Sequence, residues 1–257
     1  LIVSIMKPKT LLALVLFAFI LSCSTDKKKN SLEEDNLKGN VKSVREFSFV
    51  AVDKLGEISK GARKTQIYKK YDDKGNRIEQ DDYGSDGSLS SKTTFKYDSK
   101  GNNIEMNLYL SDRSLTYYFS FKYDDKGNEI ERNRYKSDGS LDYKFSYVYD
   151  DKGNEIERNR YESDGSLDYK SSYVYDDKGN QILWDYYKSD GSLEYRYTFK
   201  YDDKGNEIER NRHKSDWIVD CEYTYKYELD TKNNWIKRID FKNDKPQYIL
   251  EREIEYY

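Results

Sequence analysis

His213 is the only histidine in the chain, and Cys23 and Cys221 are its only cysteines. With the many carboxylates, these are the groups from which a catalytic or metal site would have to be built. A zinc site needs several Cys or His side chains at ligand spacing, and His213 has no such company, so it is read as structural or solvated. Cys221 stands where Tyr195 stands one repeat earlier. It is read as a small buried hydrophobe, because a reactive thiol needs an electropositive setting that is not visible here. Asp150-Asp151-Lys152-Gly153-Asn154 has the outline of a calcium loop. It lacks alternating Asp/Asn ligands and a distal bidentate Glu, and it carries a lysine. Turn chemistry explains the same residues. Paired carboxylates recur throughout, and that repetition argues against a glycoside-cleaving pair, since a catalytic site is normally one asymmetric place. No Gly-rich phosphate loop or Ser/His/Asp set is found. The chain is read as non-enzymatic, with no cofactor and no metal site.

The residues that remain as carriers of function are aromatic. Tyr117, Tyr143, Tyr169 and Tyr195 recur at a spacing of 26. They are expected to stack across a sheet, about 9.5 Å apart from repeat to repeat, as a row that captures a sugar or a protein edge. The competing reading is that they form the sheet's own packed face as it curls, because a single layer must bury something.

The elements that position this row follow from periodicity. Tyr-Asp-x-x-Gly-Asn starts at Tyr71, Tyr97, Tyr123, Tyr149, Tyr175 and Tyr201, with a degraded copy at Tyr227. Between copies lies a second motif, as in Ser137-Asp138-Gly139-Ser140. Ser111-Asp112-Arg113-Ser114 and Ser215-Asp216-Trp217-Ile218 hold its place without glycine. Asp-x-x-Gly suits a three-residue hairpin loop with glycine in the left-handed region; Ser-Asp-Gly suits the same loop or a two-residue turn. Each repeat is then one hairpin with strands of roughly 9–10 residues.

Leu141, Tyr143, Phe145, Tyr147 and Tyr149 alternate with Asp142, Lys144, Ser146 and Val148, the period-two signature of a sheet with one buried face. The other strand, Glu129-Ile130-Glu131-Arg132-Asn133-Arg134-Tyr135, is mostly charged. Three-residue loops would set Tyr135 opposite Leu141 and Val148 opposite Ile156, which gives apolar residues apolar neighbours; this register is preferred. Two-residue turns would set Arg134 opposite Tyr143 and Ile130 opposite Tyr147.

The fold class is therefore all-β: an extended antiparallel meander or solenoid of about seven hairpin repeats, a single twisted or curled sheet. Residues 41–257 form the sheet domain, with an opening hairpin at 41–70, repeats at 71–234 and a closing hairpin at 235–257 that caps the far end. An outer-membrane β-barrel is excluded at this level, because Glu129-Ile130-Glu131-Arg132 leaves charges on both faces where lipid needs an apolar band.

Composition agrees. Charged residues reach 36%, too many for a thick two-layer core, while 27 tyrosines argue against disorder. Lys and Asp/Glu are interspersed with no basic stripe, so no nucleic-acid partner is expected.

Met6-Lys7-Pro8-Lys9-Thr10 followed by the apolar run Leu11–Leu21 is a secretory signal, too short to span a membrane. Residues 1–22 are the signal peptide, with Met6 read as the true start. Ile20-Leu21-Ser22-Cys23 resembles the lipobox of bacterial lipoproteins. The resemblance implies lipidation at Cys23, cleavage before it, and anchoring to a membrane through several acyl chains. Residues 23–40 are then a lipidated polar tether. Ser24 is not the Asp that retains such proteins in the inner membrane, so the outer membrane is implied, on either face.

Tyr147-Val148-Tyr149-Asp150-Asp151-Lys152-Gly153, with Asp-Gly about a dozen residues on, resembles the YD repeats of the Rhs family over roughly residues 65–235. The layout is also similar to MORN-type repeats, without their glycine pattern. The YD resemblance implies a hairpin-repeat fold. It does not extend to a cargo shell, which needs many more repeats and a processing domain. The expected function is a cell-envelope lipoprotein that presents a non-catalytic repeat surface to a protein or glycan ligand. The alternatives are a periplasm-facing structural or antitoxin-like inhibitor with one protein partner and, last, a glycoside-acting enzyme.

Overall fold

The computed structural model describes residues 29–214 and 216–257. The signal peptide, Cys23 and the first part of the tether lie outside the described residues. The described residues form one short helix, α1 (Ser31–Glu34), and sixteen antiparallel strands. The opening hairpin is β1 (Val41–Lys54) and β2 (Glu57–Tyr71). The repeats follow as β3 (Arg77–Tyr83), β4 (Leu89–Tyr97), β5 (Asn103–Leu110), β6 (Leu115–Tyr123), β7 (Glu129–Lys136) and β8 (Leu141–Tyr149). They continue as β9 (Glu155–Glu162), β10 (Leu167–Tyr175), β11 (Gln181–Lys188), β12 (Leu193–Tyr201), β13 (Glu207–His213) and β14 (Val219–Leu229). The closing hairpin is β15 (Trp235–Lys242) and β16 (Lys245–Tyr256).

Both repeat motifs make three-residue loops. Lys136 N–H donates to Ser140 O and Gly139 N–H to Lys136 O, both at 2.9 Å, with Gly139 at φ +85°. Asp150 N–H donates to Asn154 O at 2.9 Å, and Gly153, at φ +81°, closes the loop onto Asp150 O. The motif side chains act locally. Asp150 Oδ1 accepts from the N–H of Lys152 and of Asn154, and its Oδ2 from Asn154 Nδ2. Asp138 Oδ1 accepts from the N–H and the hydroxyl of Ser140. These are the side-chain-to-backbone bonds for which Asp, Asn and Ser are favoured in turns.

The register combines the two expected alternatives. Tyr135 pairs with Leu141, but Arg134 pairs with Tyr143, so Asp142 is an extra residue that bulges. At the other end Tyr149 pairs with Glu155 and Val148 with Glu157, so Ile156 bulges and does not face Val148. Each bulge reverses the alternation of the strand. Leu141 therefore leaves the face of Tyr143 and stands opposite Tyr135 on the other one. All sixteen pairings contain such a shift. Bulges bend strands and increase local twist, so the sheet curls in one sense along its whole width.

That curl corrects the expected architecture. The chain is not an open meander or solenoid; it is a closed barrel in which β1 pairs with both β2 and β16. Pairing runs from Val41 opposite Tyr256 to Val50 opposite Tyr248. Lys42 meets Glu255 at 2.6 Å, Arg252 meets Glu46 at 2.9 Å and Phe49 faces Ile249. The terminal hairpins do not cap two separate ends. Each satisfies the other's unpaired N–H and C=O groups, the edge problem that an open sheet leaves unsolved.

The two faces of the wall differ. The outer face carries Lys122–Glu131 at 2.7 Å, Lys96–Glu105 at 2.8 Å and Lys200–Glu209 at 2.8 Å in mid-barrel. Of the charges that argued against lipid-facing strands, Glu131 is on the outside with Lys122, while Glu129 and Arg132 turn inward; an outer lysine would cost about 2–4 kcal/mol at a bilayer midplane. Barrel closure itself is compatible with them.

The inner face carries the alternating tyrosines such as Tyr143, Tyr147 and Tyr149 and, with them, α1. From Asn30 onward the stretch read as tether packs against the barrel end formed by the Asp-x-x-Gly-Asn turns. Asn30 caps α1 and its Nδ2 donates to Lys74 O at 2.9 Å. Leu32 and Leu37 bury against Val41, Val44 and Tyr71. Farther round, Asn36 Nδ2 donates to Gly205 O at 3.1 Å and Lys38 N–H to Asn234 Oδ1 at 2.7 Å. The segment therefore lies across this end of the barrel and ties β2 to the turns that precede β13 and β15. At the opposite end the described residues contribute only hairpin turns.

Candidate functional site

The inner wall is built from two rows of planar groups. In the row nearer the Ser-Asp-Gly turns, the Arg134 guanidinium lies 3.9 Å from the Tyr117 ring centre and 4.2 Å from that of Tyr143. Arg160, on the next strand, lies 4.5 Å from the Tyr143 ring centre. Tyr186 then takes the arginine's place, 4.9 Å from Tyr169 and 4.6 Å from Tyr195. In the row below, Arg132 lies 5.8 Å and Arg158 5.5 Å from Tyr147, and Arg158 is 5.7 Å from Tyr173. Trp184 replaces the arginine here, 5.1 Å from Tyr197.

All four tyrosines expected to bind ligand, Tyr117, Tyr143, Tyr169 and Tyr195, share the first row and are half-buried. They do not stack on one another, because a side chain of the intervening strand sits between each pair. Cation–π contacts of this kind contribute about 0.5–1 kcal/mol each when exposed and about 2 when desolvated.

The arginines are the residues that sequence reasoning passed over. Glu-Arg-Asn-Arg looked like a solvated charged strand. The signal was its own alternation: Arg132 and Arg134 are two residues apart and share a face, as do Arg158 and Arg160. Each is positioned by a carboxylate. Glu129 grips Arg132 with two bonds, at 2.7 and 3.1 Å, and Glu155 grips Arg158 in the same way. Asp142, pushed out by its bulge, accepts from Arg134 Nε at 2.6 Å. Asp168 and Asp220 do the same for Arg160 and Arg212. Despite burial, Glu129 holds the Arg132 guanidinium's pKa above its ordinary value.

The last inner tyrosine of each repeat has another role. Tyr149 donates its hydroxyl to Glu129 O at 2.8 Å, and Tyr97, Tyr123, Tyr175, Tyr201 and Tyr227 make the corresponding bond at 2.5 to 2.9 Å. Burial raises the Tyr149 hydroxyl above its usual range.

The remaining candidates are ordinary. His213 accepts or donates to Thr198 Oγ1 at 3.0 Å on the outer face and packs against Trp217. Cys221 is a free, buried cysteine beside Arg212.

The Arg–aromatic rows can hold a ligand that offers flat or ring-shaped surface and hydrogen-bonding groups. A sixteen-stranded barrel has an interior wide enough for more than its own side chains, and the half-buried state of the inner tyrosines agrees with that.

No protein-family model matches the sequence, and no curated protein does. Among solved structures, the chain is similar to a porin-like protein from Bacteroides uniformis, with TM-score 0.56 and 9% identity over 85% of this chain and 99% of that one. A porin-like protein from Bacteroides vulgatus aligns with TM-score 0.49 and 13% identity over 85% and 99% of the two chains. A Photorhabdus luminescens Tc holotoxin pore gives TM-score 0.32 and 13% identity over 81% of this chain and 15% of that one. The first of these supports the closed-barrel fold and carries no activity with it.

Proposed function

We propose that this chain is a cell-envelope lipoprotein whose barrel is a non-catalytic binding module, holding a glycan or protein ligand against its inner wall. The observation that carries the reading is the placement of Tyr143 between Arg134 and Arg160 on that wall, in a row that Tyr186 continues between Tyr169 and Tyr195. A row that served only to fill a core would be sealed by apolar packing, whereas Tyr117, Tyr143, Tyr169 and Tyr195 all remain half-buried. The charged outer face fits a domain bathed in water and held to the outer membrane by lipid at Cys23. Six residues lie between Cys23 and Asn30, and the seven Cα steps span at most about 25 Å. A lipid at Cys23 would therefore turn the Asp-x-x-Gly-Asn end toward the membrane and the Ser-Asp-Gly end away from it.

The test is capture by purified protein from a screen of glycans and envelope or host proteins. Tyr143→Ser combined with Tyr169→Ser is expected to abolish capture while the β circular dichroism is retained. Retained capture would remove the inner row from the site, and loss of the β signal would make the row structural. Protease shaving of intact cells tells the two membrane faces apart.

A further inference from the structure

The arginine pattern of the inner wall, already replaced by Trp184 and Tyr186 in β11, breaks in a different way in the closing hairpin, and a hole is left there. Aligned on the repeat, Trp235 of β15 takes the place of Glu207, Arg238 that of Arg210, and Asp240 that of Arg212. With no glutamate at its usual place, Arg238 turns to Asp240 and holds it by two bonds, at 2.6 and 2.9 Å. One guanidinium that would have filled the wall between two rings is thereby replaced by a shorter carboxylate. The result is a cavity of about 460 Å³ between β13, β14, β15 and β16, within the size range of small-molecule sites.

Its charge is uneven. Arg210 is matched by Glu207, at 2.8 and 3.0 Å, and Arg238 by Asp240. Lys242 also lines the cavity and makes no ion pair among the described residues. It faces the Tyr223 ring, 5.8 Å away, and pairs across the hairpin with another lysine, Lys245; the Asp220 carboxylate, already paired with Arg212 and Lys214, feels its charge from beyond bonding distance. Like charges directly opposite each other are unfavourable unless something negative lies between. The aromatic walls include Tyr223 and Tyr225.

We propose that this cavity is a binding site for an acidic saccharide, a sugar ring carrying a carboxylate. Tyr223 and Tyr225 offer faces for the ring. The two guanidinium–carboxylate pairs set donors and acceptors side by side, as neighbouring hydroxyls require. Lys242 takes the carboxylate. A phosphorylated ligand is a poorer fit, since both guanidiniums are already held by carboxylates and only one ammonium is free. The proposal rests on the binding-module reading and names a ligand class and a place for it.

The experiment is calorimetric titration of the full chain with glucuronic acid oligomers and with glucose oligomers of equal length, at low salt. The uronate oligomer is expected to bind with measurable heat, and the neutral one at least tenfold more weakly. Lys242→Gln should weaken uronate binding tenfold or more with its melting temperature unchanged. Lys242→Arg should retain most of the affinity, and Lys122→Gln on the outer wall should have no effect. Uronate binding that Lys242→Gln leaves intact, or equal binding of the neutral oligomer, overturns the assignment yet leaves the barrel a binding module. Absence of binding to either oligomer overturns the ligand class, and the capture screen with the Tyr143 and Tyr169 variants then decides the broader reading separately.

Discussion

The Tyr149 hydroxyl donates to the backbone carbonyl of Glu129, 2.8 Å away and twenty residues earlier. The ladder between β7 and β8 ends at Glu131 and Ser146, so this bond joins the two strands where backbone pairing has stopped. It explains why the repeat motif begins with tyrosine. Phenylalanine would keep the packing but leave the carbonyl without its donor. Tyr149→Phe is expected to destabilise the barrel by about 1 kcal/mol, read as a lower urea midpoint with an unchanged slope. An unchanged midpoint would show that water replaces the hydroxyl without loss.

Arg113 stands where most repeats have glycine, and its φ is +68°. The loop is otherwise regular, with Leu110 N–H donating to Ser114 O and Arg113 N–H to Leu110 O. An L-residue with a side chain in the left-handed region is strained by about 1–2 kcal/mol. Arg113→Gly removes the strain and adds unfolded-state entropy, so a net gain of roughly 1 kcal/mol is expected in thermal or urea unfolding. Destabilisation would mean that the arginine side chain makes a contact worth more than the strain.

The inner tyrosines make stability depend on alkaline pH. Burial, with the Glu207 carboxylate adding to it, pushes Tyr201 up to about 12 from an ordinary 10.0. Tyr227 is likewise raised by burial to about 12, with Arg238 opposing. A raised value means that the folded chain holds the proton more tightly than the unfolded one. The contribution is complete below pH 10 and is lost as pH rises through about 12. Melting temperature should be flat up to pH 10 and fall steeply beyond it, and Tyr201→Phe should flatten part of that fall. A decline that sets in well below pH 10 would assign alkaline lability to other groups.

Asp35 ties the N-terminal segment to the inner wall. It accepts from Lys69 Nζ at 2.9 Å and from the Tyr71 hydroxyl at 2.6 Å. Burial alone would raise its carboxyl, but Lys69 and Tyr71 outweigh that and hold it below its ordinary value. Its contribution is present above the unfolded value of 3.8 and is lost as pH falls below it. Asp35→Ala leaves Lys69 and Tyr71 without their acceptor and is expected to cost roughly 2 kcal/mol. Faster proteolysis around Asn30–Asn40 should accompany it, and an unchanged cleavage rate would show that Leu32 and Leu37, with the bonds of Asn30, Asn36 and Lys38, hold the segment without Asp35.

The sequence by itself determined what is local. Asp150, Gly153 and Asn154 specify a three-residue loop, because their bonds and the positive φ lie within five residues, while Asp138, Gly139 and Ser140 mark a turn whose length, two residues or three, the structure settles as three. The 26-residue spacing and the period-two run from Tyr143 to Tyr149 located the strands and put the tyrosines on one face. Three features were decided only in the tertiary structure. The bulges at Asp142 and Ile156 depend on how two strands settle against each other, and one residue of slippage moved Leu141 to the opposite face. The inward turn of Arg132 and Arg134 depends on rings from neighbouring strands, so a strand that looked solvated became half of the inner wall. Closure depends on Val41 meeting Tyr256 across more than two hundred residues. No local pattern encodes that meeting: it follows from curl accumulated over every pairing and from two free edges whose backbone groups only each other could satisfy.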